Sequence, residues 1–196
     1  MHNMKIYEEI TPNPHATKYI LDKIVLASGK VTFDREAASA VPLAKALFRM
    51  GAIHTGNVTQ VHFFENVITI TQDGMGNLGQ IVSDTINAHI NDHDPHFNEQ
   101  SEQERDNKRA ELSPDVQKIE SILDDKIRPA LQMDGGDLDV LQYDKDTHRL
   151  LVAYQGACGG CPSASGGTLM AIQGILQDEF DSEIVVIPDQ SPTDYL

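Results

Sequence analysis

Apolar residues recur at helical spacing in two stretches of the first half of the chain. Leu43, Ala46, Leu47 and Met50 form one stripe within Arg35–Met50, and Ile81, Val82, Ile86 and His89 form another within Leu78–His89. Each predicts an amphipathic helix. Between them, the runs from Val58 to Glu65 and from Val67 to Gln72 are rich in Val, Ile, Thr and Phe, and the short Glu65-Asn66 interval predicts a β-hairpin. Upstream, Thr11-Pro12-Asn13-Pro14 restricts consecutive residues to extended or turn conformations, a stiff connector on chemistry alone.

In the second half, Ser113 can cap a helix, Pro114 suits its first position and Asp115 faces the positive end of its dipole. Val116, Ile119, Leu123 and Ile127 form its apolar stripe, with Ile122 beside them, until Pro129 kinks or ends the helix. The break Asp134-Gly135-Gly136-Asp137 positions a first strand, Leu138–Tyr143, and a second follows at Leu150–Gln155. Pro162 then opens a helix with the stripe Leu169, Ile172, Ile175 and Leu176, and Ile184–Ile187 makes a last short strand. The predicted order is α-β-β-α-β. Between the halves, Asn98–Arg109 carries no aliphatic or aromatic side chain and so has nothing to bury; it is expected to be a flexible linker or a solvated helical spacer. The expected organisation is α/β (α+β): a small domain over 1–97, a polar linker over 98–112 and a second small domain over 113–196.

Charge narrows the partners. The chain of 196 residues has 15 Lys+Arg against 30 Asp+Glu, a net charge of −15. Nucleic acid and anionic membrane, both densely negative, are excluded as electrostatic partners. The acidity is concentrated in the second domain, as a solvated surface or as a means of steering basic partner proteins. No apolar stretch approaches the roughly 20 residues that cross a bilayer. The N-terminal residues have neither a secretory core nor an Arg-rich, acid-poor transit pattern, so a soluble cytoplasmic protein is expected.

Several segments offer chemistry. Gly74-Met75-Gly76-Asn77-Leu78-Gly79 fits G-x-G-x-x-G, but no parallel strand follows its helix, so it is expected to be a glycine connection and not a dinucleotide site. His89, His93 and His96 have metal-ligand spacing, yet Pro95 breaks their register; titrating side chains at a surface helix end are expected. The two cysteines of the chain, Cys158 and Cys161, are the informative pair. So short a loop gains little from a disulfide, and in a cytosolic chain Cys-x-x-Cys points to metal or redox chemistry. Gly159 and Gly160 let the loop wrap tightly and bring backbone N–H groups close to sulfur. A helix beginning after Cys161 would favour thiolates through its dipole.

Ligand number then separates the options. Iron–sulfur clusters and structural zinc normally take four protein ligands. One chain supplies two thiolates and, in sequence, no nearby histidine, so a full shell requires Cys158 and Cys161 from each of two symmetry-related chains. A cluster held in that way would have modest cover and be labile, suited to being handed on. Dithiol–disulfide exchange is the alternative, although a helix, a glycine turn and a hairpin precede the motif in place of the βαβ unit of thioredoxin-like proteins. Zinc binding is a third reading.

At these residues the chain resembles the NifU-like (Nfu) family of iron–sulfur cluster carriers. The second domain is similar over about 113–188, through Leu123–Pro129, Met133–Asp137, Gly156–Ser163 and Thr168-Leu169; the first is similar through Thr11–Pro14, Ser39–Phe48 and Phe63–Thr71. The basic residue often found after Thr-Leu is Met170 here. The resemblance implies a non-enzymatic carrier or late scaffold. Cys158 and Cys161 of two protomers would hold a [4Fe–4S] cluster, with [2Fe–2S] as the other cluster type. Its implied partners are a second copy of the chain, an upstream assembly scaffold and apo iron–sulfur proteins.

Overall fold

A computed structural model describes residues 4–50, 57–74, 78–159 and 164–189. Its first sheet has five strands in the order β1-β2-β5-β4-β3. They are β1 (Ile6–Ile10), β2 (Ala16–Leu21), β3 (Lys30–Phe33), β4 (Val58–Phe64) and β5 (Val67–Gln72), and all pairings are antiparallel. The predicted hairpin is β4–β5. Its turn places Glu65 at φ 50, in the left-handed region that favours glycine. Strands β1 to β3 were not predicted. β1 carries Glu8 and Glu9 and is largely exposed, while β3 is short, so neither shows a strong apolar run.

Successive strand residues face opposite sides of a sheet. On one side, Tyr19, Val61, Phe63, Ile68 and Ile70 pack with α1 (Pro42–Met50) and α2 (Gly79–His89) into one core. The helix predicted from Arg35 starts later, after a 3-10 turn at Ala37–Ala40. On the other side a polar row crosses the sheet, with Lys18 opposite Thr69, Thr69 opposite His62 and His62 opposite Thr32.

The polar segment between the halves is helical: α3 (Glu99–Ala110). It is tied to both sides by charge. Arg105 donates to the Lys30 carbonyl, 3.0 Å, and Arg109 pairs with Glu120 at 3.1 Å and with Asp124 at 2.5 Å.

The second half forms its own core under a sheet of three strands, β6 (Gly136–Asp144), β7 (Arg149–Gly156) and β8 (Val185–Pro188). β6 and β7 are antiparallel, and β7 and β8 are parallel, joined through α6 (Leu169–Glu179). Ile119, Leu123, Leu138, Leu150, Val152, Ile172, Leu176 and Ile184 fill the space between sheet and helices. Ser113 caps α4 (Pro114–Lys126) by accepting from the Val116 N–H at 3.4 Å. Pro129 ends that helix and sits in the first turn of a separate short one, α5 (Arg128–Met133), where its missing N–H costs no hydrogen bond. Among the described residues, no helix is long and apolar enough to cross a membrane.

Candidate functional site

The cysteine loop leaves the end of β7 beside the start of β6, because Gly136 pairs with Gly156. Gly156 has φ 59, and a Cβ there would lie 2.6 Å from the Gly135 carbonyl oxygen, so both backbone angle and space require glycine. The chain then turns tightly. Ala157 N–H donates to Gly135 O at 3.0 Å, Cys158 N–H to Gln155 O at 3.2 Å and Gly159 N–H to Gly156 O at 3.0 Å. Cys158 is buried, and its Sγ lies against Gly136, where an added Cβ would come within 2.4 Å. Gly136→Ala must therefore displace either the sulfur or the strand. It is expected to cost about 1–3 kcal/mol, as overpacking does, measured by thermal unfolding; unchanged stability would contradict this packing.

The other residues of the motif, Gly160, Cys161, Pro162 and Ser163, lie outside the described residues. The helix expected to begin at Pro162 is seen from Ala164 as a π-helical segment, Ala164–Thr168, and becomes α-helical only at Leu169. Gly166 and Gly167 lie in that segment with open space where a Cβ would go, and they permit its wide turn.

Asp137 ties the glycine turn down. It is fully buried; its carboxylate meets Lys30 Nζ at 2.8 Å and Arg128 Nε at 3.5 Å, and accepts from Gln132 Nε2 at 3.0 Å and from Leu138 N–H at 2.7 Å. Lys30 belongs to β3, so the first domain reaches directly into the turn beside the cysteine loop.

Two expectations are corrected by this contact. The Thr11–Pro14 segment is more than a connector. Asn13 is buried, its Nδ2 donates to the Ala157 carbonyl at 2.9 Å, and its Oδ1 accepts from His15 N–H at 3.0 Å. There is also a histidine beside the loop, brought there by the other domain: the His62 ring lies 3.0 Å from where a Cβ on Gly156 would be. Sequence distance concealed both, because each is more than 90 residues from the cysteines, a separation of about the size of a small domain.

Thr32 Oγ1 lies 2.8 Å from His62 Nδ1 and donates to Gln155 Oε1 at 2.9 Å. That direction leaves the ring proton on Nδ1 and makes Nε2 a bare acceptor, with no partner among the described residues. Burial pushes His62 down to about 4, with Lys30 acting in the same direction and Asp137 and Asp139 opposing it. The folded value is below the ordinary 6.5, so stability is fully present above pH 6.5 and falls as pH drops toward 4. His62 alone is expected to remove about 3 kcal/mol over that window. Urea unfolding at neutral and acid pH should show a shallower pH dependence for His62→Gln than for the parent chain; equal slopes would contradict the assignment. Tyr154 is half-buried; desolvation, and then the nearby Cys158, push it up to about 12, and its hydroxyl also lacks a partner among the described residues.

The remaining candidates do not form sites. Met75, Gly76 and Asn77 of the G-x-G-x-x-G stretch lie outside the described residues, and β5, the strand before it, pairs only antiparallel among the described residues, so the stretch does not sit in a βαβ unit there. The three histidines do not converge. α2 ends at His89, His93 bonds the Val25 carbonyl at 2.7 Å and packs edge-on to Phe63, and His96 pairs with Glu99. His93 is thus a half-buried packing residue, and burial lowers its pKa.

Family comparisons agree with the two-part architecture. The model for the scaffold protein Nfu/NifU N terminal matches residues 6–94, and the model for the NifU-like domain matches residues 119–187, which contain the cysteine loop. The chain belongs to the Nfu family. Among Nfu relatives, the mitochondrial NFU1 iron–sulfur cluster scaffold homolog of Drosophila grimshawi is 32% identical, over 88% of this chain and 57% of its own length. NifU-like protein 5, mitochondrial, of Arabidopsis thaliana is 29% identical, over 92% of this chain and 70% of its own. The nitrogen fixation protein NifU of Anabaena sp. (strain L31) is 41% identical over 35% of this chain and 59% of its own. The chain thus spans somewhat over half the length of the Drosophila relatives it matches.

The names of the long-matching relatives place them in mitochondria, which overturns the expectation of a cytoplasmic protein. That expectation rested on the missing transit pattern. A removed presequence leaves no mark on mature sequence, so such an absence decides no compartment.

Proposed function

We propose that this Nfu chain carries iron–sulfur clusters as cargo, receiving them from an assembly scaffold and passing them to apo-proteins without catalysing a reaction of its own. Cys158 and Cys161 are the ligands, Gly159 and Gly160 shape the loop between them, and the cargo is a [4Fe–4S] cluster shared by two chains. The observation that carries this reading is the cysteine pair on a glycine-shaped loop within the residues matched to the NifU-like domain. The relatives named as iron–sulfur cluster scaffolds support it. Soft thiolate donors suit iron–sulfur clusters, and two per chain leave the shell half filled. Placement at a loop supports exchange, since a cluster between two surfaces is less enclosed than one inside a core.

The test is anaerobic reconstitution of the pure protein with ferrous iron and sulfide, followed by desalting and assay of iron and acid-labile sulfide. A brown protein with iron and sulfide in equal amounts supports the carrier. Metal without sulfide or colour identifies a zinc site. A colourless protein that reduces insulin disulfides identifies the dithiol alternative, and either of these results overturns the carrier reading.

A further inference from the structure

We propose that the polar face of the N-terminal sheet is a cover over the cysteine loop, closed within one chain, which must lift before a second copy can complete the thiolate shell; this rests on the carrier reading above. The loop is pinned from two sides. On its own domain's side, Ala157 N–H is bonded to Gly135 and the Cys158 sulfur lies against Gly136. On the other side stand N-terminal residues: Asn13 bonded to the Ala157 carbonyl, His62 against Gly156, and Gln60 Oε1 3.3 Å from where a Gly159 Cβ would sit. Turning the sulfur toward a neighbouring chain means moving backbone that these side chains hold, through space that their domain fills.

The cover is attached by polar groups and not by a shared apolar core. Lys18 Nζ donates to the Met133 carbonyl at 2.7 Å, Lys30 Nζ donates to the Leu138 carbonyl at 2.7 Å and pairs with Asp137 and Asp139, and Thr32 bonds Gln155. Each domain keeps its own hydrophobic core, so separation leaves both intact. The closed contact also buries groups it does not satisfy: Gln60 Oε1, which faces Gly159, His62 Nε2, beside Gly156, and Thr69 Oγ1, beside Gly135, have no partner among the described residues. Buried polar atoms without hydrogen bonds disfavour the state that buries them, and water would satisfy all of these on opening. A polar contact between separately cored domains is the kind that opens and closes.

The experiment uses the apo full-length chain with Cys161→Ser, so that N-ethylmaleimide reports on Cys158 alone, read by mass spectrometry with far-UV circular dichroism as the folding control. Lys18→Ala and Lys30→Ala touch residues 133–139 and not the cysteine loop, so they accelerate alkylation only if the whole face lifts. Each is expected to raise the rate about tenfold, a typical response to a weakened local closing equilibrium. Asn13→Asp, which keeps the acceptor to His15 but turns a carboxylate on the Ala157 carbonyl, is expected to do the same. Unchanged rates in the folded variants overturn the cover. If Lys30→Ala loses its dichroism, Lys18→Ala decides, because Lys18 reaches across to the Met133 carbonyl and does not pair with the buried Asp137. No cluster is needed for this measurement, so its failure is distinct from failure of the carrier reading: fast alkylation in these variants, beside a parent chain with both cysteines that never takes up iron, would keep the cover and reject the carrier.

Discussion

Asp137→Ala is expected to destabilise the protein by about 3–5 kcal/mol, the usual result of breaking a buried ion pair by removing one partner. The carboxylate is inaccessible to solvent and compensates cations from both domains, Lys30 and Arg128. Each cation keeps another acid after the substitution, Asp139 for Lys30 and Glu120 for Arg128, both at 2.8 Å, which places the expected cost toward the lower end. The loss also strands the Leu138 N–H and Gln132 Nε2, which donate to this carboxylate. Asp137→Asn preserves shape and one acceptor, so it should cost less than Asp137→Ala. Urea unfolding followed by circular dichroism measures both. A loss below about 1 kcal/mol for Asp137→Ala, the level of an exposed pair, would contradict the network.

Serine at Cys158 or Cys161 is expected to abolish cluster loading altogether. In a shell built from two identical chains, one substitution removes two of four thiolates, and a hydroxyl is a poor ligand for a cluster that selects soft sulfur. Stability is a separate matter. Cys158 is buried beside Gly136, so Cys158→Ser also buries a hydroxyl at about 1–3 kcal/mol. Iron and sulfide retained after desalting, compared with a melting curve on the same sample, separates the two effects. A folded serine variant that still holds a full complement of iron would exclude that cysteine as a ligand.

The parts of this fold legible in the sequence are those where burial is one-sided and local. The stripes of α1, α2, α4 and α6, the β4–β5 hairpin and the β6–β7 pair show their apolar pattern within a short window. α5 was hidden because the proline that ends one helix also starts the next. The cysteine loop was legible from residue types alone, since two thiols flanking two glycines have few dull explanations. What surrounds it was not. Lys18, Thr32, His62 and Thr69 are polar residues on the face of the sheet away from its apolar core, and periodicity assigns such a face to water. In the folded chain that face meets the second domain, leaving His62 and Thr69 each 1% exposed. Asn13 was hidden for the same reason: its partner is the Ala157 carbonyl, in the other domain. Contacts between polar surfaces leave no hydrophobic period to find.

The most direct test of the account is the mass of the loaded protein, measured by native mass spectrometry after anaerobic reconstitution. The expected species contains two chains and one cluster, and reverts to smaller species when the cluster is chelated. A single chain that retains a complete cluster through its own residues would contradict the shared shell.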